Sequence, residues 1–337
     1  MFTTRFKQLK LFLLKALSSK SSRLPILFVH MPKAAGTSFR TAALESKRIK
    51  SVLCDYDEKN PITSKVLKDL FKLDNYQDEL AKLLSEKDDY LLSGHFKPDK
   101  YLPYFYPYQT IIFVRDPVDR IVSEYHHKVR KDKYSGEISE FVETPKFRQI
   151  QKSQFGKLPP GYFGFVGVFE QYEQSLDAIN ALYEVDIKPL HRNENPEKLN
   201  ESKYQIAPSL RESILKLNRY DVALYEQCKS ILDYRLAHIK QKNNWLYGGW
   251  TIEGRSIRGR VFKAFATEPV SLDLYIDGSC VASTIADQYN PITCVSTRQP
   301  LDGNIGFRFD ITDEQVISTD SEIKIVCPTS GQMLFRE

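Results

Sequence analysis

Two short segments place cationic, small and hydroxyl-bearing residues where a buried strand is predicted to meet a helix. The first runs from Leu27 to Ser38 and reads LFVHMPKAAGTS, so a helix is expected to begin near Thr37. The unpaired N–H groups and the dipole of a helix's first turn favour an anion, and Gly36 lets the backbone approach it closely. Lys33 adds a full positive charge, and the hydroxyls of Thr37 and Ser38 can donate hydrogen bonds. The segment predicts an anion-binding turn, with an ordinary turn capped by Ser or Thr as the alternative.

The second segment runs from Thr110 to Ser123 and reads TIIFVRDPVDRIVS. Asp116 suits a helix N-cap and Pro117 suits the first helical position, which explains much of the motif by structure alone. Arg115 follows a predicted parallel strand, at the edge where open α/β sheets bind ligands, and a guanidinium there can hold a phosphate through two hydrogen bonds. Ser123 can donate to the same phosphate, although a solvated helix face is the simpler interpretation of this serine alone.

The order of lysine and glycine argues against one common use of such a turn. The nucleotide-hydrolase motif G-x-x-x-x-G-K-[ST] places the lysine after the glycine, whereas Lys33 precedes Gly36. A Walker-type ATPase is therefore disfavoured. A nucleotide-dependent phosphotransferase is still an alternative. It would need an acid to hold magnesium, and the capping role already explains the obvious candidate, Asp116.

Alternating strands and helices are expected to position both segments. Continuous apolar runs, as in Ile26–Val29 and Ile111–Val114, are typical of parallel strands covered on both faces. Helical periodicity is predicted over Lys59–Leu92 and Ser209–Lys240, with the second helix packed against the sheet. The predicted fold class is α/β, a P-loop-like parallel sheet flanked by helices.

After Gln241 the pattern changes to strands in which apolar and polar residues alternate. Val270–Ile276 alternates, and Asp277-Gly278 predicts a tight hairpin, so a smaller all-β, sandwich-like domain is expected. The predicted division is an N-terminal basic amphipathic segment at 1–23, the α/β domain at 24–242, a junction at 243–250 and the β-sandwich domain at 251–337.

The composition is that of an ordinary folded protein and narrows the ligand class. Hydrophobic residues make up 42% and charged residues 27% of the 337 residues, which argues against a disordered, collagen-like or coiled-coil chain. From Leu246 onward there are 8 basic and 12 acidic residues, net −4, so the preceding part carries 40 and 31, net +9. A basic field favours anionic ligands. Nucleic acid is not an expected partner, because no clustered basic stripe or recognisable module accompanies this charge.

Cysteine spacing argues against a disulfide-rich or zinc-binding protein, and the short apolar runs argue against a membrane-spanning one. The five cysteines include no C-x-x-C pair, so reduced, mostly buried thiols are expected rather than a disulfide framework or a zinc site. The apolar run Leu11–Leu14 is far short of the ~20 residues that cross a bilayer, and a soluble basic helix is favoured for Phe6–Leu17 over a membrane-surface anchor. With no signal peptide recognised, the expected location is a bacterial-type cytoplasm, free or peripheral to the inner membrane.

Together the two motifs resemble those of the sulfotransferase superfamily, in particular its carbohydrate and heparan-type branch, which includes 2-O-sulfotransferases. In that family P-K-x-[AG]-G-T-S binds the 5′-phosphosulfate, and R-D-P-x-x-R-x-x-S binds the 3′-phosphate, of 3′-phosphoadenosine-5′-phosphosulfate (PAPS). Both motifs occur here in that order, and the resemblance covers about Leu24 to Ala237. Shorter supporting matches are Ser93–Phe96, Phe165–Tyr172, Asn193–Pro196 and Tyr220–Tyr225. The C-terminal region resembles β-sandwich accessory modules of bacterial glycan-modifying enzymes. This resemblance makes Trp250, Tyr275 and Tyr289 candidates for a sugar-stacking platform, although positions in the sandwich core are the favoured interpretation.

The resemblance implies PAPS as the sulfuryl donor and a hydroxyl of a carbohydrate, such as an oligo- or polysaccharide, as the acceptor, with no metal. It implies that Lys33 neutralises charge on the departing 3′,5′-bisphosphate. The residues implied for the 5′-phosphate are Lys33, Ala35, Gly36, Thr37 and Ser38, and those implied for the 3′-phosphate are Arg115 and Ser123. A non-catalytic glycan-binding protein is the non-enzymatic alternative.

A hydroxyl acceptor must lose a proton, so a general base is expected. His95 is similar in position to the catalytic histidine of uronosyl 2-O-sulfotransferases, and His30 is the runner-up, more simply explained as a packing residue. Glu124 is a weaker candidate. Two histidines, His126 and His127, are expected to face either the acceptor or solvent. Four cationic residues are candidates for attracting an anionic acceptor, with a solvated helix face favoured for the last two: Lys97, Arg120, Lys128 and Arg130.

Two departures from the family pattern bear on the contacts around the donor. Ala34 stands where many relatives carry threonine, which removes a possible hydroxyl contact. Phe147–Gln154 matches the family's N-x-Q-T-R-like segment only loosely, so the adenine and acceptor contacts are not assigned from sequence.

Overall fold

The computed structural model describes residues 25–190, 206–240, 245–292, 298–311 and 321–337. Five parallel strands form the first sheet in the order β2-β3-β1-β4-β5. They are β1 Ile26–Val29, β2 Ser51–Asp55, β3 Tyr90–Gly94, β4 Thr110–Val114 and β5 Phe165–Val168. Every residue of β1, β3, β4 and β5 is buried, as expected for a sheet flanked by helices. The predicted α/β class is confirmed.

Nine α-helices are described. They are α1 Gly36–Leu44, α2 Lys65–Leu70, α3 Tyr76–Ser85, α4 Pro117–Asp132, α5 Ile138–Glu143, α6 Ile150–Phe155, α7 Tyr172–Tyr183, α8 Pro208–Leu217 and α9 Arg219–Lys240. The strand order places the connection after β1 on one side of the sheet and the connection after β4 on the other. Ligands of open α/β sheets bind in the crevice where the strand order reverses, here between β1 and β4.

Two predicted helical stretches differ from the structure. Lys59–Leu92 contains the short helices α2 and α3, but its end belongs to β3, which pairs with both β1 and β2 and is fully buried. The stretch Ser209–Lys240 is divided at Asn218, whose backbone is not helical (φ −115°, ψ 30°). The Asn218 side chain is engaged on both sides: Nδ2 donates to the Ile214 carbonyl, and Oδ1 accepts from the Gln149 N–H. Local periodicity indicates neither the pairing of β3 with two other strands nor the hydrogen bonds of the Asn218 side chain.

The C-terminal region contains a five-stranded mixed sheet, in the order β10-β11-β7-β6-β13, and a three-stranded antiparallel sheet, in the order β12-β8-β9. The strands are β6 Leu246–Glu253, β7 Ser256–Lys263, β8 Ser271–Ile276, β9 Ser279–Ile285, β10 Gln288–Tyr289, β11 Asn304–Asp310, β12 Ile323–Val326 and β13 Phe335–Arg336. The predicted hairpin joins β8 to β9, with Asp277 (φ 49°) and Gly278 (φ 83°) in left-handed conformations. Both sheets contribute to one apolar core, so the prediction of an all-β C-terminal region is confirmed.

The three aromatic candidates for sugar stacking occupy different environments. Trp250 is buried in the β-core and its Nε1 donates to the Leu334 carbonyl, so it is not available as a platform. Tyr275 is half-buried, whereas 72% of Tyr289 is exposed.

The α/β core continues into the β-rich region. Tyr247 and Phe262, on β6 and β7, belong to the same buried cluster as the strands of the first sheet. Arg235 of α9 is 2% exposed, and its guanidinium lies 4.9 Å from the ring centre of Trp245 and 5.3 Å from that of Tyr247. Nη2 of Arg235 also donates to the Tyr247 hydroxyl. The division near residues 243–250 stays a prediction, and the contacts across it are extensive.

Some predictions fall on residues outside the described ranges: the N-terminal segment 1–23, Asn193–Pro196, residues 241–244 and Cys294. Within the described ranges, no helix is both long and apolar enough to cross a membrane. The four described cysteines carry free thiols. Cys228 and Cys327 are buried, as expected, but Cys280 is exposed because it lies on the edge strand β9.

Candidate functional site

The turn between β1 and α1 has a backbone conformation that is unusual for its residues. Lys33 (φ 67°) and Ala35 (φ 62°) are both left-handed, which costs a non-glycine residue roughly 1–2 kcal/mol. Turns of this kind direct backbone N–H groups into a concavity that suits an anion. At Gly36 an added Cβ would lie 1.8 Å from Cδ2 of His30, so the close approach of this imidazole requires the glycine.

The first turn of α1 has no side-chain cap. Ala35 occupies the N-cap position and no side chain caps the helix, so the alternative of a Ser- or Thr-capped turn is wrong here. Thr37 is half-buried and Ser38 is buried, and both lie in this first turn. Their backbone N–H groups lie at the positive end of the helix dipole. The local geometry is thus that of an anion site.

Arg115 joins the second motif to the first. It follows β4, is 5% exposed, and its Nη1 donates to the Lys33 carbonyl at 3.2 Å. The guanidinium also lies 4.3 Å from the ring centre of Phe169, at the end of β5. The structure therefore places the two sequence motifs together at the carboxyl edge of the adjacent strands β1 and β4.

The charges around Lys33 are predominantly cationic. Burial is the main cause that lowers its pKa from the ordinary lysine value, and the charges of Arg115, Arg130 and Arg120 lower it further, while Glu124 opposes them. An anion bound in the turn would offset this repulsion.

A network that the sequence did not indicate holds Arg115. The Gln151 side chain on α6 is fully buried, and its Oε1 accepts from the Arg115 N–H (2.9 Å) while its Nε2 donates to the Arg115 carbonyl (2.8 Å). Gln151 is held in turn by Asp221 on α9, whose Oδ2 accepts from the Gln151 N–H. The only signal in the sequence was the loose match of Phe147–Gln154 to the family segment.

We expect Gln151→Ala to lower the free energy of unfolding by about 1–3 kcal/mol, because it leaves the buried N–H and carbonyl of Arg115 without their partners. Urea unfolding measures this change. Gln77→Ala, at an exposed position on α3, is the matched control and should change stability little. Equal stability of the Gln151 variant and wild type would contradict the role of this side chain.

The N–H groups at the start of α4 already have a hydrogen-bond acceptor within the chain. Asp116 accepts hydrogen bonds from the N–H groups of Val118 and Asp119, and Pro117 is the first helical residue, as predicted. Because a carboxylate occupies this helix terminus, an anion here would depend on the Arg115 side chain. Ser123 is half-buried two turns along α4, and no hydrogen bond in the described residues joins it to Arg115.

Arg120 is neither an acceptor-facing nor a solvated residue. It is 1% exposed, and its Nη2 donates to the Phe147 carbonyl. Its charge is stabilised chiefly by Asp221 and then by Glu124. Of the other cationic candidates, Lys97 and Arg130 are exposed and Lys128 is half-buried, as are His126 and His127.

Three rings and one serine hydroxyl lie together beside the turn, at the ends of β1, β2 and β3. We call these four residues the ring cluster: His30, Tyr56, Ser93 and His95. His30 Nδ1 shares a 2.6 Å hydrogen bond with the Tyr56 hydroxyl, which lies 3.1 Å from the Ser93 hydroxyl. The His95 ring packs edge-on against His30 and Tyr56, with centroid distances of 4.6 and 4.8 Å. His95 also extends to the exposed surface, so it can meet a ligand.

The two histidines of the ring cluster favour their neutral forms. Although His95 reaches the surface, its ring packs against His30 and Tyr56; this partial burial, followed by the charge of Arg40, lowers the pKa of His95 to about 4. Burial also holds the pKa of His30 well below its usual range, with His95, Arg40 and Lys33 contributing. A neutral imidazole can accept a proton. His30 is buried and hydrogen-bonded to Tyr56. Of the two imidazoles, therefore, only that of His95 is accessible to a ligand.

The fold is that of an α/β protein, and the paired motifs form a candidate anion site at the point where the strand order of the parallel sheet reverses. Residues 21–162 match the family model described as "Sulfotransferase family". This match covers less than half of the chain and includes the anion-binding turn, His95 and Arg115; it supports the sulfotransferase superfamily and sulfuryl transfer as the general chemistry. No curated protein matches the chain.

Proposed function

We propose that this protein transfers a sulfuryl group from PAPS to a hydroxyl of a carbohydrate. The observation that carries the proposal is the hydrogen bond between Arg115 Nη1 and the Lys33 carbonyl, which brings two cationic motifs together within the region that matches the family. PAPS, when bound, supplies the sulfuryl group and the bisphosphate leaving group. The resemblance to 2-O-sulfotransferases of the heparan-type branch supports this donor.

The chain's residues fit such a donor in two respects. α1 begins without a side-chain cap, and Arg115 is a buried cation at the adjacent strand end. In the proposal the turn from Lys33 to Ser38, with Ala35, Gly36 and Thr37, binds the 5′ end of the donor. Arg115 and Ser123 bind its 3′-phosphate. Lys33 stabilises negative charge on the leaving group.

His95 is proposed as the general base. Its ring is neutral at physiological pH, it reaches the surface, and it lies beside His30, whose ring touches the Gly36 position of the turn. It would accept the proton that the acceptor hydroxyl loses as the new O–S bond forms. His30, held by Tyr56, would position His95 rather than accept this proton.

The acceptor and the cellular setting are proposals that rest on the resemblance. We propose an oligo- or polysaccharide acceptor, no metal requirement, no nucleic-acid partner and a cytoplasmic location, free or peripheral to the inner membrane. For the C-terminal β-region we propose an accessory role close to the catalytic part, because the two share a buried core.

A thermal-shift titration with 3′-phosphoadenosine-5′-phosphate (PAP) tests the donor site directly. A ligand that binds only the folded state adds about 2.7 kcal/mol of stability at a hundredfold excess over Kd. We expect PAP to raise the melting temperature of wild type and of the exposed-arginine control Arg48→Ala, and the shift to be lost in Arg115→Ala. The shift induced by ligand is compared within each variant, so any intrinsic loss of stability cancels.

Two results would contradict the proposal. The first is no shift with PAP in wild type, which would favour the glycan-binding alternative. The second is a shift specific to ATP with magnesium, which would favour the phosphotransferase. The structure gives the latter no support, since Asp116 is engaged in capping α4.

A further inference from the structure

His95, the proposed base, has no hydrogen bond that orients its ring. Among the residues that the structure describes, no hydrogen bond reaches its imidazole, and the ring packs edge-on against His30 and Tyr56. A catalytic group must be held to within about 0.5 Å of its productive position, and a third group commonly orients a base through a hydrogen bond. The orientation of His95 therefore depends on ring packing and on the backbone that carries it.

The segment that follows His95 is attached to the end of β2 by side chains. The Tyr101 hydroxyl donates to Oδ2 of Asp55, the last residue of β2, at 2.8 Å. The Phe96 ring packs on the Tyr101 ring with a centroid distance of 4.6 Å. Because these are contacts between side chains, the backbone next to His95 must be fixed by another element.

That element is α6. Nε2 of Gln154 donates a hydrogen bond to the Phe96 carbonyl, directly after the proposed base, and the Gln154 side chain is half-buried. Just after the helix, the N–H of Lys157 donates to Oδ2 of Asp99 at 3.3 Å. Two hydrogen bonds from the C-terminal end of α6 thus hold the segment that carries the base.

The N-terminal end of α6 is joined to the donor side of the site. Asp221 on α9 accepts hydrogen bonds from the N–H groups of Gln151 and Lys152, in the first turn of α6. The Gln151 side chain bonds to both backbone groups of Arg115. Gln151 and Gln154 lie three positions apart, so this one helix contacts the cation proposed to bind the donor and the segment that carries the proposed base.

We propose that Gln154 is a positioning residue for His95, and that α6 thereby sets the distance between the base and Arg115. The inference rests on the proposed function, because it serves the base of that reaction. Without the hydrogen bond from Gln154 to the Phe96 carbonyl, the His95 ring does not stay packed in the ring cluster. Its orientation toward the acceptor is then lost, whereas the donor side, held by Gln151, is retained.

The first test measures the pKa of His95 by NMR titration of histidine-labelled protein, with His95→Ala to identify its signals. In wild type, partial burial and the charge of Arg40 keep this pKa low, so the ring should stay neutral between about pH 5 and pH 8. In Gln154→Leu the ring gains solvent, and its pKa should rise by about one pH unit or more toward the ordinary value of about 6.5. Gln77→Leu, the same exchange at an exposed glutamine of α3, should leave the pKa unchanged.

Asp99→Ala is a second variant, at an exposed position that a substitution disturbs little. It removes the acceptor of the Lys157 N–H. Loss of an acidic charge can by itself only lower the pKa of His95, so a rise reports release of the segment. We expect a rise smaller than that in Gln154→Leu.

Turnover with PAPS separates positioning from a general loss of structure. We expect Gln154→Leu to lower kcat about ten- to hundredfold while the affinity for PAP is unchanged. In the His95→Ala background the same substitution should lower kcat no further, because Gln154 acts only through His95. Gln151→Ala, on the same helix, should instead weaken PAP binding, since Gln151 holds Arg115.

Three results would overturn the proposal: an unchanged His95 pKa in folded Gln154→Leu, a loss of kcat that persists in the His95→Ala background, or a loss of PAP affinity in parallel with kcat. If Gln154→Leu does not fold, the titration of Asp99→Ala decides, and an unchanged pKa there overturns the proposal. Absence of turnover in wild type would contradict the proposed function alone, because the titration needs no substrate and still tests the role of Gln154.

Discussion

Lys33→Ala should reduce kcat by about 10²- to 10³-fold, the usual effect of removing one group that stabilises charge in a transition state. Lys33 lies in the turn that Arg115 joins, and the residues around it give a net positive environment. Its charge is expected to count most as negative charge builds on the leaving group. Steady-state turnover with PAPS and an oligosaccharide acceptor measures the effect.

Two further variants make this result specific. Lys33→Met keeps the length of the side chain but removes the charge, and it should lose as much activity as Lys33→Ala. Lys47→Ala, at an exposed position just after α1, should keep wild-type turnover. Because Lys33 has a left-handed backbone, thermal melting of each variant checks that the turn still folds. Near-normal turnover in folded Lys33→Met would remove this lysine from the mechanism.

His95→Ala should lower kcat by about 10²- to 10⁴-fold with the affinity for PAP retained, because a general base acts on the acceptor and not on the donor. Calorimetric binding of PAP and turnover measured on the same preparation separate the two effects. The comparison variant is His30→Ala, at the neighbouring buried ring. It should weaken PAP binding as well, since His30 lies against the Gly36 backbone. Unchanged turnover in His95→Ala would place the base elsewhere, with Glu124 as the next candidate.

The pH profile gives an independent test of the same base. A base acts when deprotonated, and the pKa of His95 is lowered to about 4, so the acid limb of kcat/KM should fall near pH 4 rather than near the ordinary histidine value of about 6.5. Lys33 must carry its proton, and its pKa is lowered, so the alkaline limb should lie below the ordinary lysine value. In Arg40→Gln the acid limb should move to higher pH, because a positive charge that opposes protonation of His95 is gone. An acid limb near pH 6.5 in wild type would contradict this assignment.

The local structure of the candidate anion site was largely predictable because its determinants are local. The cap at Asp116, the helix start at Pro117 and the glycine-containing turn after β1 each follow from residue types within a few positions. The continuous apolar runs likewise predicted the parallel sheet, since strands covered on both faces need no polar alternation. Once the strands were assigned as parallel, their carboxyl ends had to share one edge of the sheet.

Contacts between distant residues were decided only by the tertiary structure. The Gln151 side chain on α6 forms hydrogen bonds with the backbone N–H and carbonyl of Arg115. Asn218 interrupts a regular helical pattern, and its side chain accepts a hydrogen bond from the Gln149 N–H. The segment Tyr90–Gly94 is a strand because it is inserted between β1 and β2, whatever its own periodicity indicates.

The sequence by itself thus determined which residues are candidates for binding an anion and which edge of the parallel sheet would carry them, because both depend on short-range pattern. The tertiary structure decided which neighbours surround those residues. Tyr56, forty positions or fewer from both His30 and His95, is brought between them by the pairing of three strands, and Arg40 reaches the same ring from α1. The lowered pKa of the proposed base His95 and the charge of its surroundings follow from that assembly, because burial and electrostatics depend on everything that packs around a group and not only on its neighbours in the chain.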